Sequence, residues 1–368
     1  MSLRVVTTIE ELQGLLESWT RLLTDSGSRD IFLTWEWLCT WSKHYLAPHQ
    51  LRVILVYKGE GELVAIAPFY IRKTTSYGGL TLRELRFLGT EEVGSCYLDV
   101  IVREHNKKAV LDHIYRFLHG EARREWDILS LTRIPAESSS IDLWVDLIEE
   151  DGKLIEITTA SSSPIIELPG HFEEFYARFN SKQRAEFKRC RELLKRHGAV
   201  AYRRASSPQE VELEMGAFVR LHQMRWEQKG YGGAFRSERF LGFHREIVQI
   251  FSQKGWVCLD FLLLNNERIA ASYGYTYKGT TAGYLPGLNP TIAPRTSPGT
   301  QLLFQCIEDA ILEGYHSFDM LTGVAAYKMS LANRLRQCLT LRHYNKHVRA
   351  AAFKLLESTK QTAKVFFR

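Results

Sequence analysis

Residues 51–73, LRVILVYKGEGELVAIAPFYIRK, and residues 255–279, GWVCLDFLLLNNERIAASYGYTYKG, carry one plan twice. Each joins two apolar, partly alternating runs by a short turn, Gly59 to Gly61 in the first and Asn265–Asn266 in the second. That is the pattern of a β-hairpin lying largely inside a sheet. The match extends to single positions, with Glu62, Val64, Ala65 and Ala67 running parallel to Glu267, Ile269, Ala270 and Ser272. Working outward, a further strand is expected at 94–102 (GSCYLDVIV) and at 281–290 (TAGYLPGLNP), followed by helices near 106–120 and 299–314. Each helix leads to a strand that opens on an aromatic-Asp pair, Trp126-Asp127 and Phe318-Asp319.

Hairpin, strand, helix, strand therefore occurs twice. The repeat predicts an α/β chain with mixed sheets, built as two tandem domains that each flank a central sheet with helices. The boundaries fall at 1–160 and 161–345, with 346–368 left as a basic amphipathic C-terminal helix. Residues 134–170, with two serine clusters and a proline, read as crossover and linker. The second copy gains three helices, at 181–198, at 208–230 and near 237–253; Gly198 and Gly230 mark the ends of the first two.

Composition narrows the class. A chain of 368 residues favours two cores over one. With 45% hydrophobic and 24% charged residues it is an ordinary globular protein, neither disordered nor fibrous. The formal charge of +6 leans towards anionic partners without implying nucleic acid. The six cysteines, at 39, 96, 190, 258, 306 and 338, are far apart and form no metal-ligand spacing, so no metal is expected and the thiols read as reduced, cytosolic core residues. No apolar run reaches the roughly 18 residues of a spanning helix, and the start MSLRVVTTIEELQGLL is not that of a signal peptide. A cytoplasmic location is expected.

Chemistry concentrates in the second copy. Residues 294–303, PRTSPGTQLL, place a rigid turn just before a helix. Ser-Pro-Gly is an ordinary way to stop a strand and start a helix, and a helix N-terminus is also a site for an anion. Gly299 lets backbone approach a phosphate closely, while Arg295, Ser297 and Thr300 can add charge or donors. The matching helix start in the first copy, REHNKKAV, has no glycine.

Five stretches, SKQRAEFKRCRELLKRHG (181–198), LHQMRWEQKGYGGAF (221–235), AASYGYTYKGTTAGYLPGLNP (270–290), SPGTQLL (297–303) and GYHSFDMLTGVAAYK (314–328), occur in an order that resembles the GNAT superfamily of acyltransferases. The resemblance is to the double-domain branch associated with cellulose and exopolysaccharide biosynthesis, and extends to bacterial ceramide synthases and Fem-type aminoacyl transferases. It covers residues 171 to 345, and reaches the first half through FLTWEWLCTWSKHY (32–45) and its hairpin. By that resemblance Ser297 to Thr300 would hold the pyrophosphate of coenzyme A. The acyl thioester, acetyl or longer, would lie between the strand around Tyr284 and the strand around Asp319. The superfamily's Arg or Gln followed by Gly-x-Gly or Gly-x-Ala is here reduced to one glycine.

Acyl transfer needs a base for the nucleophile, an acid for the leaving thiolate and donors for the oxyanion. His222 is the first candidate base, on a helix with Arg225 and Trp226 as acceptor contacts; it equally fits a helix histidine satisfied by a backbone carbonyl. Tyr327 can protonate the thiolate, with Lys328 beside it, or simply pack its ring. Asp319 can orient a histidine or bind an amine, although its twin Asp127 suggests a structural role. Tyr284 and Asn289 flank the strand end nearest the thioester and are candidates for lining the pocket. Arg184, with Lys188 four residues on, can meet coenzyme phosphates or an anionic acceptor, or belong to a solvated face.

The leading expectation is an acyl-CoA-dependent acyltransferase acting on an amine or hydroxyl of a sugar or lipid-like acceptor, with a sphingoid-type long-chain amine as a concrete case. One alternative is Fem-like transfer from aminoacyl-tRNA, the single reading in which nucleic acid is a partner. The other is a non-catalytic binding module. The helix at 346–368 either docks on its own domain or rests on an anionic membrane, which would place the protein peripherally on the inner face.

Overall fold

The computed structural model describes residues 1–59, 61–75, 79 and 81–345; the helix expected at 346–368 lies outside the described residues. Two compact units emerge. One comprises residues 1–161 together with the C-terminal stretch from Gln337, and the other comprises Ser162–Arg336.

In chain order the first unit contains β1 (Ser2–Val6), α1 (Ile9–Gln13), α2 (Leu16–Asp25), α3 (Trp35–Tyr45), β2 (Leu51–Lys58), β3 (Glu62–Thr75), β4 (Thr81–Phe87), β5 (Ile101–Val102), α4 (Lys107–His119), β6 (Ile128–Pro135) and α5 (Ser139–Glu150). Next comes β7 (Ile155–Glu167), along which the chain passes into the second unit. The first sheet runs β1-β2-β3-β4-β6, antiparallel except for the parallel pair β4/β6. The hairpin β2–β3 turns through Gly59 (φ 56°) and Gly61 (φ 110°), conformations that favour glycine.

The second unit continues with α6 (Phe172–Ala177), α7 (Ser181–Arg196), β8 (Val200–Arg204), α8 (Pro208–Glu227), α9 (Glu238–Gln253), β9 (Val257–Leu264), β10 (Glu267–Tyr277), β11 (Thr280–Leu288), α10 (Pro298–Leu312), β12 (Ser317–Asp319) and α11 (Ala326–Leu331). β13 (Arg334–Tyr344) then returns the chain to the first unit, where it pairs with β6. The second sheet runs β7-β12-β11-β10-β9-β8, with β11/β12 as its parallel pair. Asn265 and Asn266, at φ 50° and 65°, make the tight β9–β10 turn whose twist suits a hairpin. Leu302, Cys306, Ile307, Ala310 and Ile311 of α10 recur at helical spacing and bury against Leu262, Ile269 and Phe318 of the sheet. The fold is therefore mixed α/β, with helices flanking the sheets.

Two expectations are corrected. Of the strand expected at 94–102, just Ile101–Val102 is extended, and it pairs with β3. The third strand of the first copy is instead β4, whose run TLRELRF hides its strand character behind Arg83, Glu84 and Arg86. Its charge is absorbed by an ion pair, Arg83 Nη2 to the fully buried Asp127 Oδ1 at 3.0 Å. Residues 88–100 form a buried loop, with Gly94 and Tyr97 left-handed at φ 60° and 59°. It is pinned by Trp37 Nε1–H to Ser95 Oγ (2.8 Å) and Trp41 Nε1–H to Thr90 O (2.9 Å). The 134–170 linker is mostly structured, because Ser138 caps α5 and the second serine cluster sits within β7.

β11 pairs with β12 over three residues, Thr280–Ala282 against Ser317–Asp319, yet continues against β10 as far as Leu288. From Gly283 onward its other edge turns to α8. The approach is close at Gly287, where a Cβ would lie 2.8 Å from Leu221 Cβ and 3.1 Å from the His222 backbone nitrogen. Gly287→Ala is expected to force α8 outward and destabilise the protein by about 1–3 kcal/mol. Urea unfolding measures this, and an unchanged midpoint would contradict the packing.

Candidate active site

The end of β11 is where polar groups accumulate. His222 on α8 is 1% exposed, and its Nδ1 lies 3.0 Å from Pro286 O. A carbonyl oxygen can only accept, so the proton sits on Nδ1 and Nε2 presents a lone pair, which has no partner among the described residues. Burial lowers the His222 pKa to about 4, with the nearby Arg225 charge adding to the effect against the Pro286 hydrogen bond. At neutral pH the ring is an uncharged base. Trp226, one turn on, has its ring centroid 6.1 Å from that of His222 and a buried indole N–H without a partner among the described residues.

Beneath His222 lies a set of residues that sequence reasoning did not assign. His244 on α9 is fully buried, with Nδ1 3.3 Å from Tyr273 Oη and Nε2 3.4 Å from Tyr284 Oη. Tyr275 donates to Tyr273 Oη at 2.8 Å. Burial drives the His244 pKa down to about 3, with a smaller contribution from the His222 charge, and raises those of Tyr273 and Tyr275. His244, Tyr273 and Tyr275 therefore stay neutral. The signal was the alternation in Tyr273-Gly274-Tyr275, which puts both hydroxyls on one strand face. Tyr284 joins them from the stretch of β11 that has left β12.

Downstream, Asn289 Oδ1 accepts from the Thr291 amide (3.1 Å) and hydroxyl (2.7 Å), so its side chain shapes the turn after β11. The following turn has two left-handed residues, Ala293 (φ 46°) and Ser297 (φ 49°). Gln301 Nε2–H donates to Thr296 O (2.6 Å) and Cys190 O (3.2 Å), fastening it to α7. Ser297 O accepts from the Thr300 and Gln301 amides, which leaves Gly299 as the first-turn amide outside that arrangement. A Cβ on Gly299 would meet no protein atom within 4 Å, so glycine is not required by the turn itself. Arg295 and Ser297 are exposed, Thr300 is half-buried, and α10 has no acidic residue in its first turn. These groups fit a phosphate.

The segment after β12 is organised by side chains that sequence reasoning had given chemical roles. Asp319 is 3% exposed and its Oδ1 accepts from the Leu321 amide at 2.7 Å, with Leu321 left-handed at φ 51°. Lys328 Nζ donates to Met320 O (2.6 Å) and Thr322 O (3.1 Å). Tyr327 stands 41% exposed on α11. Arg184 donates to Phe179 O (2.5 Å) and Ala177 O (3.3 Å), closing the end of α6. His222, Arg225, Trp226 and Tyr284 thus surround the β11 end, Arg295 to Thr300 form the helix start, and Asp319, Tyr327 and Lys328 belong to the loop beyond β12.

Because folding lowers the His222 and His244 pKa values, the unfolded chain binds more protons between pH 6.5 and about 4. Stability should therefore fall as pH drops through that window. His222 contributes on the order of 3 kcal/mol to the loss. Denaturation of the wild type and His222→Gln at pH 7 and pH 4.5 tests this, since the variant should lose less on acidification; equal losses would exclude a buried neutral ring.

Residues 181–329 match the family described as "Acetyltransferase (GNAT) domain". A search of curated sequences finds no match. Among solved structures the chain is similar to FemX, with TM-score 0.63 and 11% identity over 97% of this chain and 100% of that one. It is also similar to the C-terminal domain of a protein named as a lysylphosphatidylglycerol synthetase from Agrobacterium fabrum (TM-score 0.55, 12% identity, 96% of each chain). L-PGS from Bacillus licheniformis is a third such structure (TM-score 0.53, 14% identity, 95% of this chain and 96% of that one). Residues 181–329 thus resemble a GNAT acetyltransferase domain, and the protein is an enzyme of the acyltransferase class that resembles the Fem-like GNAT proteins.

Proposed function

We propose that the second unit transfers an acyl group from coenzyme A to an amine or hydroxyl of a sugar or lipid-like acceptor, and that the first unit has no donor site of its own. The observation that carries this reading is the His222 ring, buried, neutral and locked in one tautomer with an unpartnered Nε2 beside the free edge of β11. The Gly299 amide, Arg295, Ser297 and Thr300 would hold the donor pyrophosphate at the start of α10. The gap that opens between β11 and β12 beyond Ala282 would take the thioester. In the first unit, residues 88–100 run beside the end of β6, with the Leu98 amide bonded to Arg133 O (2.9 Å), which supports a scaffolding role.

In the reaction, His222 Nε2 takes the proton of the nucleophile as its nitrogen or oxygen attacks the thioester carbonyl carbon. The C–S bond breaks, and Tyr327 supplies the proton for the departing thiolate. Lys328 and Asp319 hold the loop that carries Tyr327 through their bonds to Met320 O, Thr322 O and the Leu321 amide. A base with a depressed pKa remains functional well into acid, so the acid limb of kcat/KM should fall near pH 4 instead of near 6.5.

Thermal shift with acetyl-CoA, a long-chain acyl-CoA and free coenzyme A tests the donor. Stabilisation is expected, and Gly299→Glu should abolish it through charge and bulk without unfolding the protein. No response to any of the three would sink the coenzyme reading and leave the Fem-like aminoacyl-tRNA donor and the non-catalytic binding module as the alternatives. His222→Ala should lower turnover by roughly 10²–10⁴-fold with donor binding intact; a near-normal rate would return the histidine to a packing role.

A further inference from the structure

Within one turn of α8 four polar groups lack partners among the described residues. His222 Nε2, Gln223 Oε1 and Trp226 Nε1 are buried and unbonded. Their roles are dictated by their other bonds. Pro286 O fixes His222 Nε2 as an acceptor, and Gln223 donates through Nε2 to Gly232 O at 2.9 Å, which leaves Oε1 as an acceptor. The indole N–H is a donor. Arg225, half-buried, makes no hydrogen bond or ion pair among the described residues, although its charge reaches the His222 ring.

Buried polar groups are nearly always bonded, so two orphan acceptors, one orphan donor and an unpaired guanidinium on a single turn describe the complement of a ligand. The patch has walls. Phe235 stands edge-on to His222 at 5.3 Å and Tyr231 edge-on to Trp226 at 6.0 Å. Gly233 (φ 69°) packs so tightly that a Cβ would lie 2.1 Å from Gln223 Oε1. Lys229 Nζ sits 5.4 Å over the Trp226 ring and adds a second cation at the edge.

We propose that this turn is the acceptor subsite of the acyltransferase inferred above, and that it selects a primary amine bearing an anionic group, carboxylate or phosphate, within a few bonds of the nitrogen. The inference rests on that reading. Two acceptors suit the two N–H bonds of an unprotonated amine, whereas a hydroxyl would satisfy one of them. The guanidinium and the indole N–H suit anionic oxygens, for which an arginine fork is well shaped. The Arg225 charge also opposes a second cation beside His222, which keeps the bound amine neutral and nucleophilic. As the C–N bond forms and the C–S bond breaks, the surplus amine proton passes to His222 Nε2.

Calorimetric binding to the full chain, without donor, tests the selection. O-phosphoethanolamine is compared with ethanolamine, and β-alanine with propylamine. The anionic amine of each pair should bind at least about tenfold more tightly, and whichever of the two binds better assigns phosphate or carboxylate. Arg225→Gln should erase the preference and Arg225→Lys should retain part of it. Gln223→Leu should weaken all amines while keeping the preference. Equal binding within both pairs, a preference that survives Arg225→Gln, or loss of coenzyme A affinity in that variant would overturn the proposal. Amine selection without any response to coenzyme A thioesters would instead retire the donor reading and leave the subsite standing.

Discussion

A single strand edge without a strand partner organises the second unit. β11 leaves β12 at Ala282 and keeps β10 on its other side, so the backbone from Gly283 to Leu288 must find other partners for that edge. Pro286 suits such an edge because it has no N–H to satisfy. Its carbonyl takes the Nδ1 proton of His222, and Gly287 removes the side chain that would hold α8 away. Closing the edge and fixing the histidine tautomer are one event.

Desolvation then sets the chemistry. His222 and His244 are both buried, and neither has a carboxylate among the groups that shift its pKa, so both are held neutral. Tyr273 and Tyr275 have raised pKa values for the same reason. The exposed side of the unit works differently. At the start of α10 the groups are solvent-facing, and what they offer an anion is a backbone amide, a helix dipole and Arg295.

The two copies share a topology and have diverged in what fills it. Each has a hairpin, a third strand in parallel with the strand after a helix, and an Asp at an end of that last strand, Asp127 just before β6 and Asp319 closing β12. Asp127 accepts both the Arg83 amide and its guanidinium, whereas Asp319 accepts the Leu321 amide. In each case a buried carboxylate holds neighbouring backbone, Asp127 through the Arg83 amide and Asp319 through the Leu321 amide.

The hairpins, the capped helices and the Ser-Pro-Gly turn were legible in the amino-acid order, because periodicity and capping are local and repeat within a few residues. β4 was not, since Arg83, Glu84 and Arg86 break its apolar pattern and Arg83 is neutralised by an aspartate 44 positions away. The site divides in the same way. His222, Arg225 and Trp226 share a turn of α8 and could be named from spacing. The Tyr273–His244–Tyr284 contacts and the hydrogen bond that His222 Nδ1–H donates to Pro286 O join residues far apart in the chain. Sequence by itself determined the hairpins, most of the helices and which residue types are available, but not β4 or the loop at 88–100. Tertiary structure decided which of those residues are desolvated, and desolvation is what separates a neutral buried base from an ordinary histidine.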